Sequence, residues 1–151
     1  MPFHHDPHWR ERNQLLRELP DLVRERLPAE LRDFTARNRG GLVQIHYHDP
    51  ATHFEAWFHW RTSRLELGLH FEKSARDNER LFNAFDERIV EIKHELGQSI
   101  ELERWDKGWA RVYETWPCYK IDADFREHVV GRFARIITIL QPMLDDAGAR
   151  V

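Results

Sequence analysis

The chain has a single cysteine, Cys118, in 151 residues, so no disulfide can close within it. A chain of this length buries enough surface to stand without one: roughly 70% of its unfolded surface can be buried. One unpaired cysteine suits a reducing compartment, and a cytoplasmic location is expected. Long apolar runs are also missing. The longest, from Val129 to Leu140, is interrupted by Arg132 and Arg135 and falls short of the ~20 residues that span a bilayer. No contact with a membrane is expected. The first residues, Met1-Pro2-Phe3-His4-His5-Asp6-Pro7-His8, have neither a basic start nor an apolar stretch, so no signal peptide is expected. An excess of positive charge is absent too. The formal net charge is -3, and although Arg greatly outnumbers Lys, acids are interleaved throughout. Charge therefore gives no support to nucleic-acid binding, which usually shows a basic patch.

Motifs of nucleotide and nucleophile chemistry are likewise missing. The chain has no G-x-S-x-G elbow, no phosphate-binding Walker loop and no G-x-G-x-x-G fingerprint. No cofactor is expected. Cys118 follows Pro117 in a connection and has no base assigned to it. Glu91-Ile92-Lys93 has the carboxylate-x-lysine form used by some nucleases, but it falls on a helix rather than a strand and reads as a solvated face.

What the chain does have is periodicity. Leu15, Leu16, Leu19, Leu22 and Val23 recur at helical spacing, with Pro20 marking a break or a fresh first turn. Pro28 is expected to open a second short helix carrying Leu31 and Phe34, ended by Gly40-Gly41. Three alternating segments follow, Leu42 to His48, His53 to Trp60 and Arg64 to Glu72. Period-two alternation over such lengths marks a sheet with one buried face. Ser74 to Asp77 reads as a capping box for a helix whose stripe is Leu81, Phe82, Phe85, Ile89, Ile92 and Leu96, with Gly97 as its stop. Ser99 to Trp105 and Trp109 to Thr115 form a hairpin across Asp106-Lys107-Gly108, with Gly108 in the left-handed conformation. A last helix starts near Asp122 and carries Phe125, Val129, Phe133, Ile136, Ile137, Leu140 and Leu144; Gly131 within it has no sequence-level explanation.

The expected fold is a single α+β domain over residues 1–151: a five-stranded antiparallel sheet (βββ-α-ββ-α), two long helices on one face, and residues 1–40 as a helical N-terminal extension. A two-residue loop at Thr62-Ser63 sets Phe58 against Leu67 and Ala56 against Leu69. On the other face it sets His59 against Glu66, Trp57 against Gly68, Glu55 against His70 and His53 against Glu72. A turn at Asp49 to Thr52 adds His46 opposite Glu55 and Gln44 opposite Trp57. In the second hairpin Glu103 faces Arg111, Glu101 faces Tyr113 and Trp105 faces Trp109.

The candidate site is this second face: His46, Glu55, Trp57, His59, Glu66, His70, Glu103, Trp105, Trp109, Arg111 and Tyr113. Ordinary solvated faces carry more Lys, Thr and Ser. The row His46, Glu55, His70 has the donor types of a zinc or iron site, but a straight row suits a ladder of charge pairs better than a converging metal shell, and no metal is assigned. The N-terminal helices or a second copy of the chain are expected to cover the face; otherwise it is open to a ligand. The His4-His5-Asp6-Pro7-His8 cluster reads as a mobile terminus with adventitious metal affinity.

The stretch from about Leu65 to Leu144 resembles a bacterial family of unknown function, whose members occur alone or C-terminal to restriction-type nucleases. The resembling features are Glu66-Leu67-Gly68-Leu69-His70-Phe71, Ile92 to Gly97, Ile100 to Trp105, Arg111-Val112-Tyr113 and Leu140-Gln141-Pro142-Met143-Leu144. The resemblance implies an α+β fold and a role near DNA defence or processing. It implies no catalytic residues, and with no nuclease domain expected in this chain, no direct cleavage activity is expected either. The leading reading is a non-catalytic binding or assembly module that uses the His/Glu/Trp face for a partner protein, a homodimer or a small ligand. Two others stay open: a metal-dependent enzyme around His46, Glu55, His59 and His70, and a nucleic-acid accessory domain stacking bases on Trp57, Trp105 and Trp109.

Overall fold

The computed structural model describes residues 7–149. The His4 to His8 cluster therefore lies largely outside the described residues. Helix α1 (Trp9–Arg24) leads through a 3-10 turn at Ala29–Leu31 into strands β1 (Thr35–Asn38), β2 (Leu42–His46), β3 (Thr52–His59) and β4 (Arg64–Phe71). Helices α2 (Ala75–Asp86) and α3 (Ile89–Leu96) follow, then β5 (Glu101–Trp105), β6 (Trp109–Pro117) and the long α4 (Ala123–Ala149). The sheet is antiparallel throughout, in the order β1-β2-β3-β4-β6-β5. No described helix is long and apolar enough to cross a membrane.

Alternation decides the faces. Val43 and Ile45, Phe54, Ala56 and Phe58, Leu65, Leu67, Leu69 and Phe71, and Ala110 and Val112 all enter one hydrophobic core. Residues from all four helices join that same core: Leu15, Leu16, Leu19 and Val23 of α1, Leu81 and Phe85 of α2, Ile92 and Leu96 of α3, and Phe133, Ile136, Ile137 and Leu140 of α4. Helix α1 thus lies beside α4 on the apolar side, where Arg126 of α4 donates to Glu18. It does not cover the His/Glu/Trp face, as the sequence reading had allowed. One ion pair sits on the apolar side as well. Arg132 of α4 donates to both carboxylate oxygens of Glu114 on β6, at 2.8 and 2.6 Å, and Trp116 Nε1 adds a third bond at 2.7 Å.

The local signals act where they are strong. Ser74 Oγ accepts from Asp77 N at 3.2 Å and opens α2. Asp122 Oδ1 accepts from Phe125 N at 2.9 Å at the start of α4. Gly97, at φ 97°, caps α3.

Several expectations are corrected. The sheet has six strands, because the segment expected as a helix around Leu31 and Phe34 is a 3-10 turn followed by β1. The helix expected from Ser74 to Gly97 is two helices, broken after Asp86. Helix α1 runs through Pro20 without a break. In the β5–β6 connection both Lys107 (φ 67°) and Gly108 (φ 74°) are left-handed, not the glycine alone.

The registers at β3 shift by two residues. Strands β3 and β4 are joined by a four-residue loop, Trp60 to Ser63, with Ser63 at φ 51°. Phe58 therefore faces Leu65, Ala56 faces Leu67, and Phe54 faces Leu69. On the other face His59 meets Arg64, Trp57 meets Glu66, Glu55 meets Gly68 and His53 meets His70. The β2–β3 connection is also longer, held by Asp49 Oδ1 accepting from Ala51 N at 2.9 Å. It places Gln44, not His46, opposite Glu55, and Leu42, not Gln44, opposite Trp57. A two-residue shift keeps every side chain on its face, so the apolar pattern cannot detect it. The β5–β6 register is the expected one.

Candidate functional site

Strand alternation collects the polar face from five strands. β2 supplies Gln44 and His46, β3 His53, Glu55, Trp57 and His59, and β4 Glu66, Gly68 and His70, with Glu72 just beyond. β5 supplies Glu101, Glu103 and Trp105, and β6 Trp109, Arg111 and Tyr113. Gly68 is not covered by Trp57 as the first register implied. Its neighbours in register are Glu55 and Tyr113, and a Cβ on it would lie 2.4 Å from the Val112 carbonyl oxygen and 2.6 Å from Tyr113 Cβ. Glycine here lets β4 and β6 approach.

The centre is a buried network of ionisable groups. Glu66, 0% exposed, receives Arg111 Nη1 at 2.6 Å and lies 3.2 Å from His59 Nε2 through Oε1. Its Oε2 lies 2.6 Å from His70 Nε2. Arg111 also donates through Nη2 to Glu103 Oε1 at 2.8 Å, and Tyr113 donates to Glu103 Oε2 at 2.9 Å. Glu55 Oε1 receives Gln44 Nε2 at 3.1 Å and lies 3.2 Å from His53 Nε2. Glu72 Oε2 stands between the two imidazoles, 3.2 Å from His70 Nδ1 and 3.6 Å from His53 Nε2.

Burial alone would raise the carboxyl pKa values here. For Glu66 it is outweighed by hydrogen bonds to His59 and His70 and by the charges of His70 and Arg111, which hold it down to about 2. Glu55 is held below the usual range by His53, His70 and Gln44 against the same burial. For His70 burial disfavours the charged ring, but Glu66, Glu72 and Glu55 overcome it and raise the imidazole to about 9. His70 is therefore protonated at neutral pH.

Aromatic rings lie over this network. The Arg111 guanidinium is 4.0 Å from the Trp105 ring centre and 3.9 Å from that of Tyr113. Trp105 meets His70 edge to face at 5.4 Å and Trp57 at 6.3 Å, and Trp109 lies 6.3 Å from Trp105. Trp57 packs against His59 with ring centres 3.9 Å apart and the planes tilted by 35°. All four aromatic residues, Trp57, Trp105, Trp109 and Tyr113, are half-buried, whereas Glu55, Glu66 and His70 beneath them are buried.

Ten of the eleven candidate residues belong to this connected assembly. His46 does not join it. It lies on the same face but pairs with Thr35 of β1, its Nδ1 is buried without a hydrogen-bond partner, and burial and His53 lower its pKa. The row His46, Glu55, His70 is replaced by a cluster that includes His53 and Glu72, neither of which was a candidate. The signal for His53 was present, since its alternation already put it on the polar face. The two-residue register shift hid its contact with His70.

The chain matches no family model, no curated protein and no solved structure in three comparisons.

Proposed function

We propose that the protein is a non-catalytic binding module, that its recognition surface is the polar face of the sheet, and that its ligand carries positive charge. The observation behind this reading is the charge count beneath the aromatic rim. Four acidic side chains, Glu55, Glu66, Glu72 and Glu103, share the network with one guanidinium, Arg111, and with His53, His59 and His70. The four acids exceed the permanent positive charge of Arg111, and they still exceed it when a proton on His70 is added. A cation arriving at this face meets carboxylates backed by tryptophan and tyrosine rings, both of which favour it. The same acids would repel a phosphate backbone, so stacking of nucleic-acid bases on the tryptophans is the weaker reading. A cytoplasmic setting, and service beside DNA-processing proteins, accompany this reading as expectations.

The test is a binding panel read by tryptophan fluorescence. Guanidinium and amine compounds and short Arg- or Lys-bearing peptides are compared with acidic counterparts of equal size. Cationic members should bind, with Trp105→Ala or Glu103→Gln weakening them several-fold. Preference for the acidic members, or binding indifferent to Trp105→Ala, would count against the proposal.

A further inference from the structure

Two histidines and two carboxylates converge on one small volume in the floor of this face. His53, Glu55, His70 and Glu72 each present one ligand atom, and these atoms all lie within 4.8 Å of one another. The backbone explains why. His53 and Glu55 are two residues apart on β3 and so share a face. His70 is directly opposite His53, and Glu72 lies two residues beyond it.

Three of the separations are close to the edges of a coordination shell. His53 Nε2 is 3.2 Å from Glu55 Oε1 and 3.6 Å from Glu72 Oε2, and His70 Nδ1 is 3.2 Å from Glu72 Oε2. Nitrogen and oxygen donors about 2.1 Å from a tetrahedral ion stand about 3.4 Å apart along each edge.

The outer partners fit as well. The Pro50 carbonyl oxygen can only accept, so its 2.8 Å contact with His53 Nδ1 fixes the N–H there. The Nε2 lone pair of His53 is then turned toward Glu55 and Glu72. His70 Nε2 faces Glu66 Oε2 at 2.6 Å; with an N–H held there, a metal ion would displace the second ring proton and take Nδ1, beside Glu72, as its donor. Gln44 Nε2 orients Glu55. Metal-binding histidines commonly pass their second N–H to a backbone carbonyl or a carboxylate in this way.

A ladder of ion pairs explains the cluster less well. The two imidazoles are stacked, with centroids 5.7 Å apart and an interplanar angle of 19°. Charging both would set like charges face to face. One divalent ion would match Glu55 and Glu72 in charge and leave both rings neutral.

We propose that His53, Glu55, His70 and Glu72 form a binding site for a divalent transition metal of the zinc class, since imidazole donors select such ions over calcium or magnesium. This deepens the cation-binding reading of the face by naming the cation. Side-chain exposure is 3% for His53, 4% for Glu55, 2% for His70 and 20% for Glu72. Glu72 therefore marks the entrance.

The experiment uses the full chain, stripped with chelator and dialysed. Zinc and cobalt(II) are titrated by calorimetry, with magnesium and calcium as controls, and cobalt is also followed by its visible spectrum. One equivalent of zinc should bind per chain, cobalt should give a tetrahedral-type spectrum, and magnesium and calcium should not compete. Glu72→Gln should weaken zinc at least tenfold and remove the rise in melting temperature that zinc produces. His53→Ala should do the same; if that variant does not fold, Glu72→Gln, at the exposed end of the cluster, carries the test. A double variant His4→Ala, His5→Ala should leave binding intact. No zinc binding, or binding that survives Glu72→Gln and disappears in the His4/His5 variant, overturns the proposal. In that event, cationic organic ligands that still bind and still depend on Trp105 leave the broader reading standing, and their failure overturns both.

Discussion

Replacing Glu66 by Gln tests whether the buried network is held together by charge. Glu66 is fully buried and meets three groups that carry N–H: Arg111 at 2.6 Å, His70 at 2.6 Å and His59 at 3.2 Å. Glutamine keeps the shape and one acceptor oxygen but puts an NH2 where the second oxygen stood. If the remaining oxygen stays on Arg111, the new NH2 faces His70 Nε2, which then has to lose its proton. Hydrogen bonds to charged groups contribute about 1.5–3 kcal/mol each, and one is lost outright while another is weakened. The expected loss is therefore about 3 kcal/mol, near the low end of the cost of removing one partner from a buried pair. For a chain of this size that is a fall in melting temperature of roughly 6–12 °C. Urea unfolding of chelator-treated protein, followed by circular dichroism and by tryptophan fluorescence, measures it. Glu103→Gln is the control: its side chain is 41% exposed, and an exposed partner of this kind should cost below about 1 kcal/mol. A loss below about 1 kcal/mol for Glu66→Gln, or one no larger than that of Glu103→Gln, would refute the reasoning.

Two further predictions follow from the same face. Gly68→Ala should destabilise by about 3 kcal/mol or more, because the new methyl would meet backbone atoms of Val112 and Tyr113 at 2.4 and 2.8 Å and force β4 from β6; a thermal melt within 2 °C of the parent would contradict this. Stability should also depend on pH on both sides of neutrality. His70 is raised from 6.5 to about 9, so its contribution is complete below about 6.5 and lost as pH rises through about 9, on the order of 3 kcal/mol in all. Glu66 is lowered from 4.5 to about 2, so its contribution is present above about 4.5 and lost as pH falls toward 2. Melts of chelator-treated protein between pH 5 and 9.5 should show the alkaline decline, which Glu66→Gln should move to lower pH. A flat alkaline limb would show that His70 is not charged in the folded chain.

The faces of the sheet could be read from the sequence, while the partners across it could not. Apolar residues at alternate positions of β2, β3, β4 and β6 dictate which side chains share the core, and the structure keeps them there except for Trp60, expected at the end of the β3 set, which lies in the loop and is exposed. The polar face was legible by the same parity. Partner choice depends on turn length, and the turns at Asp49 and Trp60 each carry more residues than the shortest solution. Strand β1 left no trace because Thr35-Ala36-Arg37-Asn38 is exposed at every position and sits at the sheet edge, so neither face imposes a pattern. The break between α2 and α3 was hidden for the opposite reason. The apolar stripe continues across Asp86 to Arg88 at helical spacing, and only the backbone shows the interruption. The metal-like cluster combines both effects. Its four residues lie on the readable face, but their convergence depends on the register.

The strand order also bears on how the chain is made. Strands β1 to β4 form a meander that leaves a ribosome first and already carries His53, Glu55, Glu66 and His70. The guanidinium that balances Glu66 comes from β6, 45 positions later in the chain, and β6 must insert between β4 and the edge strand β5. Until Arg111 arrives, Glu66 has only His59 and His70 as partners and lacks the one permanent positive charge of the network. Strand β6 in turn is clamped by Arg132 of α4 through Glu114. A chain cut short before α4 therefore has every strand of the sheet but lacks the clamp on β6.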